Sequence, residues 1–280
     1  MKYLLFLLPL FATALKAQNS LQFDHRFVES ENKWVAFKSN KDKDTSFSYG
    51  FIYIDAQAGL TLDLTGSFTI SGDGTFVPKK IENSIKYRLQ PNNTKVAIIP
   101  ASKYGELEIK EYPDWLKNYL GDTTAIEHLY RWGFLYNGYN ECVKALTYLE
   151  RAQQINPKFK GLEVELAFSY NCLGDHDKAI ATLENALKDN PTDAYINKEL
   201  IYAEMKSGQL DKAAESCKKA IAVCTDTKYN GENCYNLLYT FYSKKDKKNF
   251  SIWLDEAKKW NAGNTKLLDS VKAMEADINK

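Results

Sequence analysis

The stretch KGLEVELAFSYNCLGDHDKAIATLENALKDNPTD, residues 160–193, decides the fold because the chain repeats its pattern. Copies of the same length precede it at 126–159 and follow it at 194–227 without gaps. Alanine recurs at two positions in each copy, and each recurrence is 34 residues from the last. A spacing held in several columns predicts helical hairpins that stack on one another, because each hairpin is too thin to bury its own apolar face. The alanine columns are Ala145, Ala179 and Ala213, followed by Ala152, Ala186 and Ala220.

The repeat resembles the tetratricopeptide repeat, a helix-turn-helix unit of 34 residues. Pro157 and Pro191 fit the end of the second helix, because proline cannot continue it. A fourth copy, 231–264, follows an insertion of three residues, so the predicted repeat region spans 124–264. The segment 265–280 is predicted to cap the last repeat, since it carries one apolar stripe. That stripe consists of Leu267, Val271, Met274 and Ile278.

The resemblance also implies where a partner would bind. In this family the first helix of each unit lines a curved groove, which takes a protein or peptide segment without catalysis. The rings are expected to hold apolar anchors of a peptide, and the asparagine amides to engage its main chain. Some of these rings could instead pack against neighbouring helices or the other domain. The matching groove positions are Tyr130, Phe134, Asn137, Phe168, Asn171, Lys198, Tyr202, Tyr235 and Tyr239.

Residues 21–112 have a different apolar period. Two runs, 47–54 and 60–70, alternate with a period of two, which predicts β-strands. Short turns between the runs favour an antiparallel sandwich or open barrel. The chain is therefore predicted to be a two-domain α+β protein, with a linker helix at 113–123 between a β-rich domain and an all-α solenoid. Shorter strand candidates are 34–38, 75–77, 85–89, 95–99 and 106–110.

The first 17 residues are typical of a cleaved secretory signal peptide. A positive start is followed by an apolar run too short to cross a bilayer, and cleavage after Ala17 would leave Gln18 first. The first cysteine is Cys142, so the acceptor of a lipoprotein signal is missing near the cut. We therefore expect a periplasmic or secreted protein with no integral membrane segment after cleavage, and with envelope association as a minor alternative.

The charge balance argues against nucleic acid as a partner. The chain carries 37 basic and 36 acidic residues, and removal of Lys2 and Lys16 would leave 35 against 36. Motifs for nucleotide, metal or nucleophile chemistry are missing from the sequence, and His25, His128 and His176 are isolated from one another. We therefore predict no enzyme activity, no cofactor and no metal site.

Five cysteines lie in the helical half. Cys217 and Cys224 are seven residues apart on one predicted helix, about 10 Å by helical rise, which is too far for a disulfide. Cys224 and Cys234 flank the insertion before the fourth repeat, so a bond between them is one prediction. Buried free thiols are the alternative, and the odd count leaves at least one thiol outside any internal bond.

The leading functional hypothesis is an exported scaffold for protein–protein interaction. A rival from another class is a carbohydrate or cell-wall binding module in the β domain, where Trp34 or Tyr49 could stack on sugars. A third is an enzyme whose catalytic groups meet only in three dimensions. The partner itself is not encoded in any motif of the sequence.

Overall fold

A computed structural model describes residues 21–39 and 45–278, so the predicted signal peptide lies outside the described part. The chain divides into two compact units, Met1–Tyr119 and Leu120–Lys280. Over the described ranges, no helix is long and apolar enough to cross a membrane. This two-part organisation, with a sheet followed by helices, confirms the predicted fold class.

The first unit contains one antiparallel sheet with the strand order β4-β3-β2-β1-β5. From β1 to β4, each strand pairs with the strand that follows it in the sequence, as expected when short connections join antiparallel strands. The described residues of this unit contain no second sheet, so they form an open sheet and not a sandwich. Its strands are β1 Lys33–Lys38, β2 Phe47–Asp55, β3 Gly59–Ile70, β4 Phe76–Arg88 and β5 Ala97–Ile98.

Two of the shorter strand predictions describe one strand. Residues 75–77 and 85–89 fall at the two ends of β4, which continues through a register shift opposite Leu64 and Gly66 of β3. The candidate 106–110 is wrong, because these residues form turns and coil. Leu107 is buried there, and the carbonyl oxygen of Lys110 accepts a hydrogen bond of 2.7 Å from Trp34 Nε1. The alternating apolar and polar residues of 106–110 thus reflect the packing of this segment against the sheet and not a strand within it.

Aromatic side chains form much of the sheet's core. Trp34 is 4% exposed and Tyr49 is fully buried, and the ring of Trp34 meets that of Phe51 edge-on at 5.2 Å. The predicted linker helix is shorter than 113–123, since α1 spans only Lys117–Leu120. Just before it, Trp115 packs edge-on against Tyr53 at 5.1 Å, which ties this segment to the sheet.

The second unit consists of paired helices and a final single helix. The turn inside each pair contains one residue with positive φ, and these residues are spaced by 34, 34 and 37 residues, namely Asn140, Gly174, Gly208 and Lys245. The longer last step matches the three-residue insertion. The pairs are α2 Ile126–Gly138 with α3 Cys142–Ile155, α4 Leu162–Leu173 with α5 His176–Asp189, α6 Ala194–Lys206 with α7 Leu210–Val223, and α8 Asn230–Ser243 with α9 Lys247–Trp260; α10 is Thr265–Ile278.

Close helix contacts depend on small residues in the pairs. Ala145, Ala179 and Ala213 are all fully buried, one in the second helix of each of the first three pairs. Gly133 of α2 lies so close to the side chain of Leu149 in α3 that a β-carbon would overlap it. Because the side chains at these positions are small, the paired helices can approach closely and pack at the density of a protein interior.

Candidate functional site

The predicted ring column lies on the first helix of each pair. Phe134 on α2 and Tyr239 on α8 are 50% and 53% exposed, whereas Phe168 on α4 and Tyr202 on α6 are partly buried. The two central rings belong to a pocket of about 230 Å³, called here the central pocket. Its walls come from α4, α6, α8 and the turn after α2. The central pocket is lined by Asn140, Phe168, Asn171, Cys172, Lys198, Glu199, Tyr202, Glu232 and Asn236.

The structure therefore brings together four of the predicted groove residues. Phe168 and Asn171 come from α4, and Lys198 and Tyr202 come from α6. Phe168 and Cys172 are one helical turn apart on α4, so they share a face of that helix. The sequence prediction did not include Asn140, Cys172 or the wall contributed by α8 through Glu232 and Asn236.

The charge of Lys198 is balanced inside the pocket. Its Nζ lies 2.9 Å from Glu199 Oε1 and 3.7 Å from Glu232 Oε1, and its side chain is only 19% exposed. Burial lowers the pKa of Lys198, but the two carboxylates outweigh that effect and hold the pKa above its usual value. An ammonium group paired in this way offers little net attraction to a free carboxylate. The pocket is thus poorly suited to binding a carboxylate through Lys198.

At the N-terminal end, Tyr130 packs between two other rings. Its ring centroid lies 6.5 Å from that of Phe134 and 5.2 Å from that of Phe159. Burial raises the pKa of Tyr130 to about 12, so the hydroxyl stays neutral. This ring matches the alternative that some groove residues pack against neighbouring segments.

At the C-terminal end, three tyrosines of α8 follow one another. The rings of Tyr235 and Tyr239 stack at 6.4 Å, and Tyr239 lies 6.4 Å from Tyr242. The hydroxyl of Tyr242 donates a hydrogen bond of 2.7 Å to Asp277 Oδ2 of α10. Tyr242 is thereby attached to the last helix, while Tyr239 remains half exposed.

The two predicted asparagines connect neighbouring repeats. Asn137 is 2% exposed, and its Nδ2 donates to both the carbonyl oxygen and the Oε2 of Glu165, each at 2.9 Å. Asn171 is 5% exposed and donates in the same way to Glu199, at 3.2 Å for both acceptors. The expectation that these amides bind a ligand main chain is therefore wrong, because their donors are used between repeats. Asn171 still forms part of the pocket wall.

The cysteines pair differently from the prediction. Cys224 and Cys234 are free and buried, so the predicted bond between them is absent. Cys224 instead lies 3.6 Å from Asn197 Nδ2, and Cys234 contacts the thiol of Cys217. The disulfide of the structure joins Cys142 at the start of α3 to Cys172 near the end of α4. The short distance along the chain between Cys224 and Cys234 did not predict the disulfide. The bond instead joins two cysteines next to equivalent turns of stacked repeats.

The histidines have ordinary structural surroundings. The ring of His128 stacks on Trp132 at 3.7 Å, and burial lowers its pKa. The Nδ1 of His176 lies 3.4 Å from Asn171 Oδ1. In the two described ranges, no group of three or more histidine, cysteine or carboxylate side chains could hold a metal ion.

The two rings named for sugar binding are unavailable on the surface. Trp34 is 4% exposed and Tyr49 is fully buried, so neither can stack on a sugar. Tyr87 and Tyr112, at 47% and 52%, are exposed rings in this unit. The carbohydrate hypothesis stays a prediction, without the residues that first suggested it.

Residues 173–223 match the family model of the tetratricopeptide repeat. This match covers α5 and the pair α6–α7, and the turns of the four pairs recur at spacings of 34, 34 and 37 residues. The chain therefore contains a tetratricopeptide-repeat match at 173–223, and the helix pairs on either side of it have a similar helix–turn–helix arrangement. No curated protein matches the chain.

Several solved structures are similar to this chain at low identity. MamA from Desulfovibrio magneticus RS-1, from residue 41 to its end, is 17% identical over 51% of this chain and 80% of that one, with a TM-score of 0.45. A thermophilic repeat protein from Thermus thermophilus is 18% identical over 57% of this chain and 85% of that one, with a TM-score of 0.45. YrrB, described as a repeat protein with an unusual peptide-binding site, is 19% identical over 54% and 76%, with a TM-score of 0.46.

Proposed function

We propose that this chain is a non-catalytic interaction scaffold whose repeat array binds a protein or peptide segment in the central pocket. The observation that carries the proposal is the open pocket between α4, α6 and α8, with Phe168 and Tyr202 in its walls. A pocket of about 230 Å³ is large enough for one or two side chains but small for a whole cofactor. The partner would therefore insert an anchor side chain and extend beyond the pocket.

The balance of forces favours apolar anchoring over charge attraction. Lys198 is already paired with Glu199 and Glu232, so the pocket has little unbalanced positive field. Partly exposed aromatic rings lose water when an apolar side chain covers them, and such rings commonly contribute about 1–3 kcal/mol each to an interface. The half-exposed rings of Phe134 and Tyr239, on the first and last pairs, would extend the same surface.

The proposal can be tested without knowing the natural partner. Purified full-length chain would be used to select peptides from a random display library, and the affinities of the selected peptides would then be measured by calorimetry. We expect the combined Phe168→Ala and Tyr202→Ala variant to bind them about 100-fold more weakly, since two anchors of about 1.4 kcal/mol each are removed. Circular dichroism should show an unchanged helix content.

A matched control changes two exposed apolar residues that do not line the pocket. Val143 on α3 and Ile252 on α9 are 69% and 49% exposed, so the combined Val143→Ala and Ile252→Ala variant should keep full affinity. The proposal is wrong if the selected peptides bind the Phe168 and Tyr202 variant as tightly as the original chain while both variants remain folded.

We also propose that the protein is exported, on the basis of residues 1–17 alone. The short apolar run and the small residue at the predicted cut support this. Expression of the full coding sequence in a Gram-negative host, followed by N-terminal sequencing of the periplasmic fraction, should give Gln18 as the first residue. An intact Met1 on all of the protein, recovered with the cytosol, would contradict export.

A further inference from the structure

The two sulfurs of the disulfide lie in different surroundings. Cys142 is 2% exposed, whereas Cys172 is exposed and forms part of the wall of the central pocket. The remaining three cysteines are free and buried. We propose that the bond between Cys142 and Cys172 is a thiol-exchange site, at which a thiol entering the central pocket attacks Cys172 and releases Cys142. The proposal does not depend on peptide binding in the same pocket.

Access determines which sulfur is attacked. Exchange requires the incoming thiolate to reach one sulfur of the bond, and rates depend on that access. Phe168 lies one turn before Cys172 on the same face of α4, and Tyr202 of α6 lines the same pocket. A cysteine next to an apolar group would therefore fit, because the rings cover the apolar part while the sulfur meets Cys172. Small thiols such as glutathione satisfy the same chemistry.

The helix position of Cys142 favours its role as the leaving group. Cys142 is the first residue of α3, the preceding Glu141 forms no side-chain cap, and the first turn contains no acidic residue. The N–H groups of an uncapped first turn, together with the helix dipole, stabilise a thiolate at this place. The carboxylate of Glu141 and the burial of Cys142 act in the opposite direction. A thiol that ionises more easily leaves faster.

The exchange is balanced without any further reactant. The incoming thiolate forms a bond to Cys172 Sγ, the bond between the two protein sulfurs breaks, and its electron pair goes to Cys142 Sγ. The products are a mixed disulfide on Cys172 and a Cys142 thiolate, which takes a proton from water when the pH is below its pKa. A second molecule of the same thiol can then release Cys172 as a free thiol and leave as its own disulfide.

The surrounding contacts allow this reaction in the folded protein. Asn137 of α2 is bonded to Glu165 of α4 through two hydrogen bonds, and Ser169 donates to Asn137 Oδ1 at 2.7 Å. Leu149 of α3 and Leu166 of α4 are both fully buried. These contacts hold the first two repeats together when the covalent link is opened, so opening the link does not require unfolding.

The test uses the full chain and glutathione as the probe. The oxidised protein is incubated with reduced glutathione near neutral pH, quenched with acid, alkylated and mapped by mass spectrometry. We expect glutathione on Cys172 at least about tenfold more often than on Cys142, with an unchanged circular dichroism spectrum. Equal labelling of both sulfurs, no reaction in the native state, or reaction only when helix content is lost would each overturn the proposal.

Two single variants provide a matched comparison. Cys142→Ser leaves only Cys172 of the pair, and Cys172→Ser leaves only Cys142, so their rates of modification by an aromatic disulfide reagent can be compared. Cys172 should react at least about tenfold faster, with both rates normalised to those in urea. A variant that fails to fold would also expose the three buried thiols, and the glutathione experiment on the original chain then decides.

Discussion

The buried carboxylate of Glu165 makes the stability of the repeat array depend on pH in a specific direction. Glu165 is 3% exposed, and Asn137 is its hydrogen-bond donor through Nδ2. Burial raises the pKa of Glu165 to about 7, although the Asn137 bond acts to lower it and the nearby charge of Glu199 raises it further. We predict that Glu165→Gln stabilises the protein at pH 8 and changes little at pH 5.

The size of the effect follows from the two pKa values. The ordinary pKa of this carboxyl group is 4.5, and its pKa in the folded chain is about 7. The folded state therefore holds the proton more tightly, so this stabilising contribution is complete below pH 4.5 and is lost as the pH rises through 7. The difference corresponds to about 3 kcal/mol. Glutamine carries no charge at either pH and still accepts the Asn137 bond, so it avoids this loss.

Urea unfolding followed by circular dichroism at both pH values measures the effect. The free energy of unfolding of Glu165→Gln should exceed that of the original chain by up to about 3 kcal/mol at pH 8, and by less than about 1 kcal/mol at pH 5. Glu150→Gln, at an exposed position on α3, should show no such difference between the two pH values. A difference for Glu165→Gln that is the same at both pH values would refute the reasoning.

Three further changes test the packing of the array by urea unfolding. Gly133→Ala should destabilise it by about 1–3 kcal/mol, because the new methyl group overlaps Leu149; an unchanged midpoint would contradict that contact. Asn171→Ala should cost about 1–3 kcal/mol, since Glu199 loses its amide donor; a loss below about 0.5 kcal/mol would show that the bonds contribute little. Cys142→Ser should lower stability by about 3–4 kcal/mol, as expected for opening a loop of 30 residues, and the difference should vanish when both proteins are reduced.

The helical half was predictable because its information is local. The 34-residue spacing of Ala145, Ala179 and Ala213 predicts both the length of the repeating helix pair and the positions where the helices pack. All three residues are fully buried in the structure. The sheet was less predictable, since strand order depends on contacts between distant segments. β5 has only two residues, and its partner β1 lies some 60 residues earlier in the chain, so no sequence period could reveal the pairing.

The errors in the candidate site have a common cause. The column containing Asn137 and Asn171 predicts which helix face these side chains occupy, but not whether the next repeat covers them. The disulfide carried a recognisable signal, since Cys142 follows the turn residue Asn140 by two positions and Cys172 precedes the equivalent Gly174 by two. Equivalent turns of successive repeats lie side by side, which brings these two cysteines together.

The asparagine–glutamate contacts also give each repeat a defined set of compatible neighbours. The repeat 160–193 carries both partners, because Glu165 accepts from the repeat before it and Asn171 donates to the repeat after it. The repeat 194–227 carries only the acceptor, since Met205 stands where the asparagine would be. An array lengthened by copies of 160–193 would preserve every such contact, whereas copies of 194–227 would place a thioether opposite a buried carboxylate. The chain thus contains one unit suited to serial duplication, between a unit that carries only the asparagine donor and a unit that carries only the glutamate acceptor.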